Sequence, residues 1–477
     1  MATSRRQRRL HRRHQAAGAL RASFTPPQHA VVHWDGKMIK DSLGTSEHRL
    51  AILVSGGPDH TGGKLLAVPT IADGTGLAQA EATATALDDW GVSDNVVGLC
   101  YDTTSSNTGR LKGAVVKLEA MLEKKLLRLE CRHHVLELVL GAVSTALFGP
   151  TSGPVDAKFQ DLKRRWPQLD TSEMRFLFIE DSWLQELRDA TIEQLQAMLA
   201  RPGKDHFLRE DYRELAQLVL LVLDAGPSRP RFRRPGACHH ARWMAKVLYY
   251  IKMYLFAGQL GYDAQEQERL RRMVTFIALI YARAWLTAPL AADAPVRDLQ
   301  LYRDLQRFRD VDQPVADAAL AVLRRHTAYL QPQTVVLSLA SDAVGEGERQ
   351  ALAEALLSQP ESADPEDAAL CLERHTQLAD LVTDASWQLF QLLKLDPRSW
   401  LRQPACAWED DSGYTRFKTF VRELNVTNDV AERGVAMIET FANTVTQDED
   451  QLQWLLQAVE DHRKRLPSFK KSALDSL

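Results

Sequence analysis

Cysteine is scarce in this chain, with five residues among 477 and no Cys-x-x-Cys pair. That usage excludes the disulfide framework of small secreted domains and is typical of a reducing compartment. The sequence also lacks a secretory signal and any apolar run long enough to cross a bilayer. We therefore expect a soluble, intracellular protein with no membrane partner, in which Cys100 and Cys131 are buried.

The chain also has no large excess of positive or negative charge, because 59 Lys and Arg nearly balance 62 Asp and Glu. Affinity for nucleic acid must then come from local basic clusters. One cluster without any acid opens the chain: Arg5, Arg6, Arg8, Arg9, Arg12 and Arg13. With the break at Pro26 and Pro27, it predicts a flexible basic arm over residues 1–28, which either binds DNA backbone phosphate or acts as a nuclear import signal.

Strand-like and helix-like segments follow the arm. Three apolar runs with tight turns, 30–35, 49–54 and 64–71, predict an antiparallel meander. After them come a helix over 76–90, a buried strand over 96–101, a helix over 111–126 and a strand over 127–131. The order β-β-β-α-β-α-β predicts an α/β fold with an RNase H-like mixed sheet over residues 29–145.

Residues 146–415 have a different character, because nearly every segment is helical in period and strand signals almost vanish. We interpret this region as a large all-helical insertion into the sheet domain. Residues 416–477 predict the C-terminal helices of the first domain, one over 425–441 and a shorter one over 450–465. The chain is long enough for two such folded bodies.

Two acids, Asp35 and Asp102, each end a strand-like run. In the predicted topology those strands are neighbours, so the two carboxylates emerge close together. Glu432 is the best candidate for a third, because it lies on the polar face of a predicted helix. A single acid at a strand end is more often a turn residue or a helix cap. Three converging carboxylates would suit two-metal cleavage of a phosphodiester, since Mg²⁺ or Mn²⁺ prefers hard oxygen ligands.

Five sequence blocks strengthen this interpretation: 32–37 (VHWDGK), 100–109 (CYDTTSSNTG), 131–134 (CRHH), 241–243 (ARW) and 428–434 (NDVAERG). In this order they resemble the signature blocks of hAT-like DDE transposases, and more closely the transposase-derived open reading frames of animal genomes. The gaps agree in kind, with 67 positions from Asp35 to Asp102 and 330 from there to Glu432, where that family has its helical insertion.

The resemblance implies roles for single residues. Asp35, Asp102 and Glu432 would be the catalytic metal ligands. Asn107, with Ser106 beside it, would contact DNA phosphate or order its loop, although capping of a helix near Gly109 is equally compatible with its position. Further contacts to DNA would come from His134, Arg242, Trp243 and Arg433, and from the arm through Arg5, Arg6, Arg8 and Arg9.

Three of these roles have ordinary alternatives. Cys131 and His134 match the Cys-x-x-His element that supports the active site in the family, but a buried thiol and a satisfied histidine would give the same pattern. Trp243 matches an Arg-Trp pair that stacks on a displaced base, and a tryptophan in the protein core is the alternative.

A structural zinc site is a further reading of the Cys and His residues. It would use the cluster Cys131, His133, His134, Cys238, His239 and His240. The two halves of this cluster are far apart in sequence and lack zinc-finger spacing, and adjacent histidines rarely both bind one metal. We therefore do not expect zinc.

The sequence departs from complete hAT transposases at its N-terminus, where those proteins usually carry a zinc finger that recognises transposon ends. We expect a DNA-binding transposase that cleaves strands with Mg²⁺ and joins the freed 3′-hydroxyl to target DNA, in a possible homo-oligomer. It would reside in the nucleus if the host is eukaryotic and otherwise in the cytoplasm. The alternatives are a domesticated or truncated derivative that binds DNA or protein without catalysis, and a general nuclease of the same fold.

Overall fold

The structure is a computed structural model of the chain. It describes residues 2–40, 46–150, 157–201, 209–227, 230–236, 243–362, 372–373, 375–429, 431, 434–435 and 448–465, with backbone alone at 2–6, 39–40 and 243.

The described residues form six strands, and most of the others lie in helices. The strands are β1 (Ala30–Lys40), β2 (Ser46–Gly56), β3 (His60–Ala67), β4 (Thr70–Ile71), β5 (Val96–Tyr101) and β6 (Leu127–Glu130). The first helices are α1 (Ala2–Ala22), α2 (Gly76–Asp89), α3 (Ser105–Thr108), α4 (Ala114–Met121) and α5 (Arg132–Phe148). Two further helices, α18 (Ser412–Glu423) and α19 (Glu449–Arg465), lie near the C-terminus.

The helices between these groups are α6 (Ala157–Arg165), α7 (Ser182–Ala200), α8 (Glu210–Val222), α9 (Trp243–Leu255), α10 (Ala257–Leu260), α11 (Ala264–Phe276), α12 (Ala282–Thr287), α13 (Ala294–Leu323), α14 (Pro332–Val335), α15 (Glu346–Ser358), α16 (Gln388–Leu393) and α17 (Arg398–Leu401). A π-helical stretch, Ile277–Tyr281, connects α11 to α12. Short 3₁₀ helices lie at Ser93–Asn95, Trp166–Gln168, Ala328–Leu330, Val336–Ala340, Ala379–Leu381, Asp384–Trp387 and Ala405–Asp410.

The strands form one mixed sheet in the order β3-β2-β1-β5-β6, and β4 pairs with β2. The pairs β1–β2 and β2–β3 are antiparallel, whereas β1–β5 and β5–β6 are parallel. The predicted α/β class, the mixed sheet and the antiparallel meander are therefore confirmed. The strand predicted over residues 96–101 has those bounds in the structure.

Successive side chains of each strand point to opposite faces of the sheet, and each face packs against a different layer of helices. Val32 and Trp34 of β1 pack with Leu99 and Tyr101 of β5 against α2 and α4. Helix α2 ends at Asp89, and Gly91 follows with a φ of +63°, a left-handed conformation that favours glycine. Residues of the opposite face, among them Val31, pack against helices from the second half of the chain. Both faces of the central strands are buried, as their apolar composition predicts.

The region predicted as one helical insertion contains two apolar cores. The first joins the end of α5 to α6–α13 and lies beside the sheet domain. The second runs from residue 291 to residue 426 and packs directly on Val31, Val97 and Leu129 of the sheet. The sequence predicted one helical body where the structure has two cores, because helical period identifies the buried face of each helix but not the element that this face contacts. In the part of the chain that the structure describes, no helix has both the length and the apolar character to span a bilayer.

The N-terminal segment differs from the flexible arm that its charge predicts, because residues 2–22 form helix α1. Arg and Ala have high helix propensity, and Leu10, Arg13, Ala17 and Leu20 form a stripe that is less exposed than the rest of the helix. The ring of His14 lies 4.4 Å from that of Trp454 in α19. A charge pattern cannot reveal this partner, which lies more than 400 residues away in the sequence.

Candidate active site

The two predicted aspartates lie just beyond the point where the pairing of β1 with β5 stops. That pairing ends with His33 opposite Cys100, and each acid is two residues further along. Asp102 directly follows β5, but Asp35 does not end its strand as the sequence predicted, because β1 continues to Lys40 along β2. Alternation directs Asp35 toward the same side of the sheet as His33. Asp35 itself is partly exposed and pairs across β2 with Ala51. The two acids therefore lie at one edge of the sheet, meaning the edge at which the parallel pairing of β1 with β5 ends.

The loop after β5 holds the Asp102 carboxylate in place. Its Oδ1 atom accepts hydrogen bonds from the Thr104 backbone N–H at 3.0 Å, the Thr104 hydroxyl at 2.6 Å and the Asn107 amide at 2.7 Å. The other end of the Asn107 amide, Oδ1, accepts from the indole of Trp34 at 2.9 Å. Asn107 is only 3% exposed. Its amide thus links the middle of β1 to the loop that follows β5, which fits the loop-ordering role rather than a contact to DNA.

Residues 426–429 contact the same edge from the C-terminal part of the chain. The helix predicted over 425–441 does not begin at Asn425, because residues 424–428 are not helical. Asn428 donates from its side chain to the Trp34 carbonyl at 2.8 Å, one residue before Asp35. Its backbone N–H donates to the Cys131 sulfur at 3.1 Å. The Asn428 Oδ1 atom is buried and has no hydrogen-bond partner among the described residues. Asn428 therefore ties β1 to the start of α5 and leaves one buried oxygen unsatisfied.

The next described residues of this segment lie on β2. Ala431 and Val435 pack with Ala51, which is the register partner of Asp35. Gly434 approaches so closely that a Cβ there would lie 3.1 Å from the Ala51 Cβ. A small residue is therefore needed at this crossing. The segment that begins at Asn428 is packed across the sheet beside Asp35.

Asp429 is buried among partners from the helical region. One carboxylate oxygen accepts from the His133 ring at 2.8 Å, and the other accepts from the Tyr212 hydroxyl at 2.7 Å. Burial alone would raise the pKa of Asp429, but attraction to His133 and these hydrogen bonds outweigh it and hold the pKa well below its usual range. Asp429 is therefore an anion in the folded protein.

Cys131 and His134 both lie at the N-terminal end of α5. Burial raises the pKa of the Cys131 thiol well above its ordinary value, so the group is a neutral, buried hydrogen-bond acceptor. His134 is partly exposed. Burial lowers its pKa, and attraction to Asp102 offsets this only in part. His134 thus remains close enough to sense the charge of Asp102.

Several predicted residues lie outside the described residues: Glu432, Arg433, Arg242 and the zinc candidates Cys238, His239 and His240. Trp243 begins α9, and Arg5 and Arg6 lie in α1, but their side chains are not described. Arg8 and Arg9 are exposed on α1. Of the other zinc candidates, His133 uses both ring nitrogens in hydrogen bonds, to Asp429 and to the Trp285 carbonyl.

The donor chemistry at this edge suits a hard divalent cation. Asp35 and Asp102 offer carboxylate oxygens, and Asn428 Oδ1 is a buried acceptor that lacks a partner. Within the described ranges, no three His, Cys, Asp or Glu side chains form a metal-binding group. A complete Mg²⁺ or Mn²⁺ site would therefore depend on Glu432 as the third carboxylate.

A cleft of about 230 Å³ opens beside Asp102. Its lining includes Lys37 and His48 together with Thr104 and Ser106. Basic and hydroxyl groups are the side chains that contact phosphate and sugar in protein–DNA complexes. The edge with the two aspartates therefore has adjacent space with suitable chemistry for a nucleic-acid backbone.

The sequence did not reveal the roles of Asn428, Asp429, His133 and Tyr212. Local patterns could not reveal them, because the contacts of Asp429 join residues that are hundreds of positions apart. Comparison of the chain with protein-family models found no match, and comparison with curated proteins found none either.

Proposed function

We propose that the chain is a DNA transposase-like enzyme with an RNase H-like core, in which Asp35, Asp102 and Glu432 bind Mg²⁺ or Mn²⁺. The observation that carries this proposal is the register of β1 and β5, which brings Asp35 and Asp102 to the same edge of the sheet. The strand order and the five sequence blocks support it. So does the packing of Ala431 and Gly434, the described neighbours of Glu432, beside Ala51.

The residues of this edge have distinct tasks in the proposed reaction. The metal ions, when bound, lower the pKa of the attacking nucleophile and stabilise the leaving oxygen. Asn107 holds the Asp102 carboxylate and Trp34 together, so that the acid is positioned before DNA arrives. Lys37, His48 and Ser106 face the cleft in which the backbone of the bound strand would lie. The product would be a cleaved strand with a free 3′-hydroxyl, which then attacks target DNA.

Nicking of supercoiled plasmid in Mg²⁺ tests this proposal, with wild type compared with Glu432→Gln. We expect Glu432→Gln to lose at least about 100-fold in nicking rate, because an amide replaces a charged metal ligand. Glu193→Gln, at an exposed position in the middle of α7, is the matched control and should retain wild-type activity. Equal rates for Glu432→Gln and wild type would remove the proposed role.

The same assay separates the alternatives. Wild type that binds DNA but does not nick it in Mg²⁺ or Mn²⁺ would indicate a derivative without catalysis. Metal-dependent nicking without joining of a 3′-hydroxyl end to a second DNA molecule would indicate a general nuclease.

Helix α1 gives a separate prediction for DNA binding. Arg8, Arg9 and Arg12 are exposed on it, whereas Ala17 is buried. Replacing the three arginines by glutamine should therefore preserve the packing of α1. If each arginine neutralises a phosphate, the slope of log K against log salt should become shallower by about 0.9 for each arginine removed. The salt dependence of DNA affinity measures this slope, and an unchanged slope would show that α1 does not bind phosphate.

A further inference from the structure

The buried Asp429 carboxylate lies where three parts of the fold meet. Asn428, its neighbour, is bonded to the middle of β1 through the Trp34 carbonyl. His133 reaches Asp429 from the first turn of α5, and Tyr212 reaches it from α8 in the helical region. Over the described residues, these contacts join the sheet edge to the first helical core through one carboxylate.

The His133 ring contacts Asp429, Trp285 and Tyr212 in this cluster. Its second ring nitrogen faces the Trp285 carbonyl at 3.1 Å. Its ring stacks on the Trp285 indole at a centroid distance of 4.1 Å and meets the Tyr212 ring edge-on at 5.2 Å. A carboxylate and a backbone carbonyl only accept hydrogen bonds, so both ring nitrogens of His133 face acceptors. The ring is therefore held in one orientation between Asp429 and the Trp285 carbonyl.

Other ionisable groups lie near Asp429. Arg209 lies over the Tyr212 ring, 5.2 Å from its centroid, and attracts Asp429. Burial and the Asp429 charge both raise the pKa of the Cys100 and Cys131 thiols, which keeps them neutral. The Asp429 carboxylate thus has two hydrogen-bond partners and a nearby cation, Arg209, as a buried charge requires.

We infer that Asp429, clamped by His133 and Tyr212, is a positioning residue for the proposed active site. The clamp fixes the backbone at Asn428, and Asn428 fixes the carbonyl of Trp34, one residue before Asp35. A displacement of α8 or α12 in the helical region would therefore shift the backbone of β1 at Trp34, next to Asp35. The inference rests on the proposed function where it concerns catalysis, whereas the mechanical link can be tested without it.

Tyr212→Phe tests the clamp in the full-length protein. The substitution keeps the ring that packs on His133 and Trp285 and removes only the hydroxyl bonded to Asp429. Tyr281→Phe is the matched control, because Tyr281 lies in the same aromatic cluster and its hydroxyl has no hydrogen-bond partner in the described part of the chain. Hydrogen–deuterium exchange reports on β1 and on residues 424–429, and cleavage kinetics separate kcat from KM.

We expect Tyr212→Phe to exchange at least several-fold faster in both segments, and to lower kcat about 10-fold while KM for DNA stays within about twofold. Tyr281→Phe should leave all of these unchanged. Exchange in Tyr212→Phe equal to that of the control would overturn the inference. Faster exchange in Tyr212→Phe, with a wild type that shows no cleavage, would support the mechanical link and reject the proposed function instead.

Discussion

Asp35→Asn is expected to reduce Mg²⁺-dependent cleavage by at least about 1000-fold, which corresponds to about 4 kcal/mol of transition-state stabilisation. The substitution removes one negative charge and one strong oxygen ligand. It keeps the shape of the side chain, and the strand around it is held by backbone pairing to β2 and β5. The fold should therefore survive while the activity is lost. Single-turnover cleavage of labelled duplex, with circular dichroism of both proteins, measures the two effects separately.

Asp59→Asn is a suitable control for this experiment, because Asp59 is exposed in the turn between β2 and β3. It should cleave as wild type does. Asp35→Cys adds a direct test of metal contact, since a thiolate binds Mn²⁺ better than it binds Mg²⁺. We expect Mn²⁺ to restore part of the activity in Asp35→Cys but none in Asp35→Ala. Cleavage by Asp35→Asn at the wild-type rate would exclude Asp35 from the catalytic centre.

The sheet could be predicted from the sequence because its signals are local. A continuous apolar run over 96–101 predicts a strand buried on both faces, and β5 has those bounds. Short turns between three apolar runs predict the antiparallel meander. That order makes β1 and β5 parallel neighbours, with Asp102 directly after β5. The predicted strand end at Asp35 was wrong, because β1 continues to Lys40 through its pairing with β2, a contact that the apolar run over 30–35 does not reveal.

The hydrogen-bond partners at the site could not be predicted, because their signals are not local. The bond from His133 to Asp429 spans 296 positions, and that from Tyr212 to Asp429 spans 217. Nothing in the period of α5 or α8 distinguishes these polar residues from ordinary ones. Asn107 shows the same limit, because the sequence left a DNA contact, loop ordering and helix capping open, and only the folded chain shows its amide bonded to Trp34 and Asp102.

Arg132 is another residue whose importance appears only in the folded chain. It opens α5 next to His133 and is 3% exposed. Its guanidinium donates to the carbonyls of Thr287 and Ala288 and to the carboxylate of Asp298. It thereby joins the start of α5 to the end of α12 and to the first turns of α13. Burial raises the pKa of Asp298, although attraction to Arg132 opposes the rise.

Arg132→Met is therefore expected to destabilise the protein by about 3–5 kcal/mol, because it leaves a buried carboxylate and two carbonyls without a donor. Urea unfolding at neutral pH measures the loss. Arg164→Met is the control, since Arg164 lies in an exposed ion pair, and it should cost less than about 0.5 kcal/mol. The double variant Arg132→Met with Asp298→Leu should recover about 2 kcal/mol. The recovery is incomplete because the two carbonyls remain unsatisfied.

The pH dependence of Arg132→Met provides a second check on the same cause. Without Arg132, only burial acts strongly on Asp298, so its pKa in the folded state lies further above that of the unfolded chain. The folded state then binds a proton that the unfolded state does not, and the free energy of unfolding should rise as pH falls from neutral toward the unfolded-state pKa of about 4. In the double variant this rise should disappear. A single variant whose stability matches that of the double variant at every pH would show that Asp298 is not the cause of the loss.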